Sequence, residues 1–169
     1  MPERRRRQKS KIDVEIVDDA GLWPDTDDIQ ALIEAASAEV AVEPELNIGK
    51  VSVAFALSND ASVAALNGQF RATPKPTNVL SFPPGPGAPP EYLGDIVLAL
   101  ETLQREAVEQ DVPFEHHLQH LVVHGLLHLS GLDHQTDDEA ERMERLEIKI
   151  LSRLGVANPY TGALERDKR

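Results

Sequence analysis

The chain has 169 residues, no cysteine and a net charge of −12. This length is sufficient for one domain with its own apolar core, and the lack of cysteine excludes a disulfide framework or a thiolate metal site. The acidic balance argues against a broad electropositive surface for nucleic acid, although basic residues cluster at 4–11, at Arg71 with Lys75, and along the last predicted helix. The basic residues 4–7 are not followed by an apolar stretch of signal-peptide or membrane length, so we expect a cytoplasmic protein without a membrane partner.

The elements of secondary structure follow from the spacing of apolar residues. Alternation of apolar and polar residues predicts strands, whereas apolar residues three and four apart predict helices. Ser58 or Asn59 is the expected cap of the second helix, which runs to Phe70. In chain order the predicted elements are a strand at 12–17, a helix at 29–40, a strand at 51–57, the helix that ends at 70, strands at 77–82 and 93–100, and helices at 101–110, 114–129 and 137–154.

These elements predict one mixed α/β domain with a small four-stranded mixed sheet packed by helices. We expect the domain to span residues 12–156, between a basic, disordered tail at 1–11 and a C-terminal tail at 157–169. The proline- and glycine-rich segment 83–90 can neither pair as a strand nor form a helix, and it separates two predicted strands. It is therefore expected to be a mobile loop inside the domain.

Three histidines in the stretch H-G-L-L-H-L-S-G-L-D-H have the spacing of a metal site. His124 and His128 are four residues apart in an apolar run, so a helix places both rings on one face. Gly131 is suited to end that helix in the left-handed conformation, and the turned chain would bring back His134 as a third ligand. Three imidazoles without a thiolate suit one zinc ion per chain, and they leave a coordination position for water. The pattern therefore predicts a catalytic zinc site.

Zinc proteases share this histidine spacing, but they carry glutamate directly after the first histidine as the general base. That position is Gly125 here, and glycine cannot accept a proton. A metallopeptidase is therefore a weaker hypothesis than an enzyme that directs zinc-activated water at a phosphodiester, which has a better leaving group.

Two further histidines lie upstream on the same predicted helix face. His117 and His120 precede His124 at spacings of seven and four residues, so they could line the cleft or contact the ligands. A zinc site with three protein ligands is already complete, and a polar or exposed position is favoured for each. Asp133 is expected either to orient an imidazole or to hold the turn through its own backbone.

The last predicted helix has an apolar stripe of Met143, Leu146, Ile150 and Leu154, which we interpret as core packing without a chemical role. Its four basic residues offer a possible RNA-binding face, namely Arg142, Arg145, Lys149 and Arg153. Spacing favours a different interpretation, since two acid–base pairs stand four residues apart, namely Asp138 with Arg142 and Glu141 with Arg145. We expect these pairs to form on a solvated face.

Three other stretches join the histidine motif in resembling one family. They are L-N-G-Q-F-R at 66–71, P-T-N-V-L-S-F-P at 76–83 and G-D-I at 94–96. Together these motifs resemble the bacterial YbeY family of metal-dependent endoribonucleases, which act in ribosomal RNA maturation. The resemblance extends over about residues 14–155. The family commonly has an aromatic residue at position 132. Leucine here removes a possible stacking group beside the site.

The resemblance implies roles for individual residues. His124, His128 and His134 fall on the family's zinc ligands, with His124 also counted as catalytic. Arg71 matches a functionally important arginine, which would donate hydrogen bonds to phosphate oxygens in catalysis and substrate binding. Spacing alone would favour a surface ion pair for Arg71. Lys75 is a further candidate for phosphate binding.

The resemblance also implies the substrate and the partners. We expect a zinc-dependent, single-strand-specific endoribonuclease that acts on the small-subunit ribosomal RNA precursor, in maturation of its 3′ end and in ribosome quality control. Small-subunit ribosomal proteins and an assembly GTPase are the partners that the family suggests. One alternative is a ribosome-assembly factor whose zinc is structural and whose nuclease activity is slight. The other is the zinc metallopeptidase.

Overall fold

The computed structural model describes residues 10–18, 21, 23–24, 26–71, 77–133 and 135–160, with Arg71 described by its backbone alone. The predicted tails therefore lie largely outside the described residues. The nine elements within them are β1 (Lys11–Asp18), α1 (Thr26–Ala41), β2 (Lys50–Ser58), α2 (Asp60–Arg71), β3 (Val79–Phe82), β4 (Tyr92–Ala99), α3 (Leu100–Gln110), α4 (Phe114–Leu129) and α5 (Asp137–Arg153). The mixed α/β class is as predicted. Among these helices, none combines the length and the apolar character needed to cross a membrane.

The four strands form one mixed sheet in the order β1-β2-β4-β3. The first three are parallel, and β3 pairs antiparallel with β4 at the edge. The predicted strand at 77–82 begins only at Val79. Asn78 directs its side-chain amide to Glu106 of α3 at 3.1 Å, so the residue before the strand is held by a helix.

The two faces of the sheet are covered by different helices. Val53, Phe55 and Ile96 belong to the main core, together with buried residues of α1, α4 and α5. On the opposite face, Val97 packs with Val63 of α2. Helix α4 is the central element of the larger layer, and most of its apolar side chains are fully buried. Its polar side chains are therefore brought up against the other helices of this layer.

Charged side chains join α5 to the last turn of α1 and to the segment that follows it. The pairs are Arg145 with Glu45, Lys149 with Glu43, and Arg153 with both Glu39 and Glu43, at 3.0 to 3.1 Å. The predicted pairing of Arg145 with Glu141 is wrong, because α5 lies across α1 and offers Arg145 a bidentate partner in Glu45. The predicted Asp138–Arg142 pair is also not formed between these described side chains. Three of the four basic residues proposed as an RNA-binding face are thus already paired with carboxylates.

Candidate metal centre

Helix α4 ends in the turn that the glycine predicted. Gly131 has a φ of 101°, in the left-handed region. Its N–H donates to the His128 carbonyl oxygen at 3.0 Å, and the Leu132 N–H donates to the Leu127 carbonyl oxygen at 3.1 Å. These two bonds form a Schellman motif, which closes the helix and turns the chain directly after His128. Leu132 is buried in the core beyond this turn, so its side chain acts in packing.

His124 and His128 lie on one face of α4, as predicted. Their ring centroids are 4.7 Å apart and the rings are inclined at 79°. The His124 side chain is 27% exposed, so solvent reaches this face of a helix whose apolar side chains are mostly buried. The helix therefore presents two imidazoles to the same small volume at the protein surface.

A fully buried carboxylate on α5 contacts this face. Glu147 Oε1 accepts a hydrogen bond from His124 Nδ1 at 2.5 Å, and its Oε2 accepts one from His120 Nε2 at 3.3 Å. Burial alone would raise the pKa of the Glu147 carboxyl, but the hydrogen bonds to the carboxylate outweigh it and lower the pKa to about 2. Glu147 is thus ionised at neutral pH in the protein interior.

Tyr160 supplies another donor to this carboxylate. Its hydroxyl donates to Glu147 Oε2, and its ring lies against His120 with centroids 5.7 Å apart. Burial and the neighbouring negative charge raise the pKa of the Tyr160 phenol, so it keeps its proton and remains a donor. Tyr160 belongs to the segment predicted as a C-terminal tail, and this part of that segment packs against the histidine face.

A second pair of a histidine and a carboxylate lies one turn upstream. His117 is only 3% exposed, and its Nε2 is 3.1 Å from Glu106 Oε1. The hydrogen bond from His117 lowers the pKa of Glu106 despite burial, and the Asn78 amide contributes in the same direction. His117 thus has the polar position that was expected, but a buried one, because Glu106 gives it a partner in the interior.

Gly125 lies between the two histidines, where α4 crosses the sheet. A Cβ atom there would be 3.0 Å from Ile96 Cδ1 and 3.2 Å from Ser81 Oγ. Ile96 is fully buried, and the Ser81 hydroxyl donates to the Gly125 carbonyl oxygen at 3.5 Å. Glycine therefore allows the close approach of α4 to β3 and β4. The glutamate that peptidases carry at this position would require Ile96 and Ser81 to shift by a few tenths of an ångström to admit its Cβ atom.

Several predicted site residues fall outside the description. His134 and Lys75 are not among the described residues, and Arg71 ends α2 with its side chain undescribed. Asp133 is described, is partly buried and has interactions of its own. Within the described part of the chain no three histidine, aspartate or glutamate side chains are placed to hold a metal. The three-histidine site therefore stays a prediction that depends on His134.

The described side chains fit a zinc ion by the chemistry of their donors. A ligand histidine usually gives its second ring N–H to a carboxylate, which fixes the ring and its tautomer. The bond from His124 Nδ1 to Glu147 has this form, and it leaves Nε2 as the nitrogen of that ring that would bind a metal. Two imidazoles four residues apart, one of them anchored in this way, are suitable ligands for zinc.

Glu147 is the residue that the sequence reasoning missed. It follows Leu146 and lies three residues before Ile150, on the apolar stripe that was interpreted as core packing alone. Met143, Leu146 and Ile150 are indeed buried in the core. A charged residue at a core position of a helix needs a buried partner, and this was the signal available in the sequence.

Comparison with known proteins identifies the family. The family model described as Endoribonuclease YbeY matches residues 8–155. The chain is 48% identical over 159 residues to the protein named Endoribonuclease YbeY of Sinorhizobium medicae, a match that covers 88% of the chain and 95% of that protein. It is 45% identical over 153 residues to the protein of the same name from a Bradyrhizobium species, covering 86% of the chain and 90% of that protein.

A solved structure supports the same grouping. The solution structure of TM1509 from Thermotoga maritima is similar with a TM-score of 0.55 and 25% sequence identity, covering 83% of this chain and 91% of that one. The resemblance drawn from the motifs is thus confirmed by whole-chain similarity. The chain belongs to the endoribonuclease YbeY family.

Proposed function

We propose that this protein is a zinc-dependent endoribonuclease that cleaves single-stranded RNA, with one zinc ion per chain held by His124, His128 and His134. The observation that carries the proposal is the pair of histidines on one face of α4, with a buried carboxylate behind the first ring. Membership of a family named for endoribonuclease activity supports RNA as the substrate.

The zinc ion, when bound, supplies Lewis acidity and lowers the pKa of water to about 7, so that water can attack phosphorus at neutral pH. The chain's own task is to orient the ligands and to hold the phosphate. Helix α4 fixes the separation of His124 and His128, and the Schellman turn ends the helix one residue after His128. Gly125 stands where peptidases carry their glutamate and cannot act as a base, which supports phosphodiester cleavage over peptide hydrolysis.

Phosphate binding is assigned to Arg71, with Lys75 as a secondary contact. Arg71 ends α2 directly before the segment that leads to β3. A guanidinium donates paired hydrogen bonds to two phosphate oxygens, and these bonds strengthen as charge builds in the transition state. The basic residues of α5 are poorer candidates, because Lys149 and Arg153 are bound to buried Glu43.

We further propose that the biological substrate is the small-subunit ribosomal RNA precursor, cleaved during maturation of its 3′ end and in ribosome quality control in the cytoplasm. Ribosomal proteins of the small subunit and an assembly GTPase are the proposed partners. The family resemblance supports this placement.

Cleavage assays with matched substrates test the proposal. The zinc-loaded protein should cut a single-stranded RNA that carries the precursor 3′ end, and should leave the same sequence intact in a duplex or after zinc is chelated. Arg71→Ala should lower kcat/KM by about 100-fold, the usual loss for one transition-state donor, and Arg71→Lys should recover only part of it. A zinc-loaded protein that leaves every RNA intact would instead be an assembly factor with a structural metal.

A further inference from the structure

We propose that Glu147 is a positioning residue for the metal site, which holds the His124 ring with Nε2 toward the zinc ion and is itself held by His120 and Tyr160. This inference rests on the proposed zinc site. It assigns a role to a residue of α5 that belongs to none of the family motifs quoted above, and to Tyr160, which lies beyond the residues matched by the family model.

Three hydrogen-bond donors surround the Glu147 carboxylate. Glu147 is fully buried, and it accepts hydrogen bonds from His124 on Oε1 and from both His120 and Tyr160 on Oε2. His124, His120 and Tyr160 can each donate a hydrogen bond, and a carboxylate offers only acceptors. These contacts engage and orient both oxygens of Glu147.

These hydrogen bonds also determine the tautomers of His124 and His120. His124 must carry its proton on Nδ1 in order to donate to Glu147, which leaves Nε2 as the nitrogen with a lone pair for a metal. His120 must carry its proton on Nε2 by the same reasoning. Its Nδ1 is buried and has no hydrogen-bond partner among the described residues, in keeping with an unprotonated nitrogen. His120 thus supports the carboxylate and is not itself arranged as a ligand.

The packing of α5 fixes the position of the Glu147 carboxylate. Glu147 sits between Leu146 and Ile150, both fully buried, so the backbone of α5 is fixed at this position. Lys149 and Arg153 bind Glu43 beyond α1, which ties α5 to the rest of the domain. A carboxylate held in this way limits rotation of the His124 ring, whereas an exposed one would move with its own side chain.

Zinc affinity separates a positioning role from a purely structural one. Glu147→Gln keeps an acceptor oxygen but removes the charge, and Glu147→Leu removes the acceptor with little change in volume. We expect the zinc dissociation constant, measured by competition with a chromophoric chelator, to rise about tenfold in Glu147→Gln and up to about a hundredfold in Glu147→Leu. Glu106→Gln is the matched control, because it alters the same kind of contact with His117 on the same helix, and its zinc affinity should match the wild type.

A second readout follows the ring itself. In the zinc-free wild type, nitrogen NMR of neutral His124 should show the proton on Nδ1, and in zinc-free Glu147→Leu this preference should be lost or weakened. Circular dichroism and thermal unfolding of the zinc-free variants establish that each one folds. If Glu147→Leu does not fold, Glu147→Gln carries the test.

The outcomes distinguish this inference from the proposed function. Folded Glu147 variants that bind zinc as tightly as the wild type, with His124 still protonated at Nδ1, would overturn the positioning role and leave the proposed function standing. A wild type that holds no zinc would overturn the proposed function itself. Weaker zinc binding in both Glu147 variants, with the Glu106→Gln control unchanged, is the result expected.

Discussion

Gly125→Ala tests the close packing between α4 and the sheet. In the interior of a helix this substitution normally stabilises by about 1 kcal/mol, because glycine is the poorer helix former. Here the new methyl group would lie 3.0 Å and 3.4 Å from two carbon atoms of Ile96 and 3.2 Å from Ser81 Oγ. Carbon atoms prefer separations of about 3.5 to 4.0 Å, and overpacking of a fixed core costs about 1 to 3 kcal/mol. Because Ile96 is fully buried in a central strand, we expect the cost to exceed the gain, with a net loss of about 1 kcal/mol.

Urea unfolding of the zinc-free protein measures this loss without a contribution from metal binding. Ile96→Val removes the Cδ1 atom that stands nearest to the new methyl group, and alone it should cost about 1 kcal/mol. The double variant Gly125→Ala/Ile96→Val should be more stable than the sum of the single changes predicts, by about 1 kcal/mol. A Gly125→Ala protein that gains the full helical stabilisation, or a double variant that is simply additive, would refute the packing argument.

Three further predictions concern the supports of the site. Glu43→Gln should destabilise the protein by about 1 to 2 kcal/mol at neutral pH, since two partly exposed cations of α5 lose their common partner and solvent moderates the loss. Burial alone would raise the pKa of Glu43, but hydrogen bonds from these cations lower it from 4.5. The wild type should therefore lose this stability as the pH falls below about 4.5, whereas Glu43→Gln has none of it to lose. If the urea midpoints of the two proteins fall in parallel with pH, the stability does not come from the Glu43 carboxylate. Tyr160→Phe removes one donor to Glu147 and should lower the free energy of unfolding of the zinc-free protein by about 1.5 kcal/mol, whereas an unchanged Tm would show that the contact contributes nothing. Thr136→Ala removes the side-chain cap at the start of α5 and should lower the free energy of unfolding in urea by about 1 kcal/mol. Equal urea midpoints for the variant and the wild type would contradict a contribution from this cap.

The sequence was informative wherever a structural feature depends on neighbouring residues. The facing pair of His124 and His128 follows from helical spacing, and the left-handed turn at Gly131 follows from the glycine after the last helical residue. Helix α4 has the predicted ends for the same reason. The absence of a glutamate after His124 was visible as well, but the close contact at Gly125 depends on Ile96, which lies in β4, far earlier in the sequence.

Contacts between distant elements could not be predicted in this way. Arg145 has an acid four residues before it, yet it pairs with Glu45, because the crossing of α5 over α1 decides which carboxylate is nearer. Glu147 reaches His124 for the same reason, since its partner depends on how α5 packs against α4. Spacing along one helix therefore predicts the ligands of the site, whereas their supporting partners require the tertiary structure.

Zinc content and RNA cleavage, measured together in the wild type and in His128→Ala, test the central claim most directly. We expect the wild type to hold about one zinc ion per chain and to cut single-stranded RNA, and the folded variant to do neither. A His128→Ala protein that keeps its zinc, or a zinc-loaded wild type that does not cut RNA, would contradict a catalytic site built on this helix.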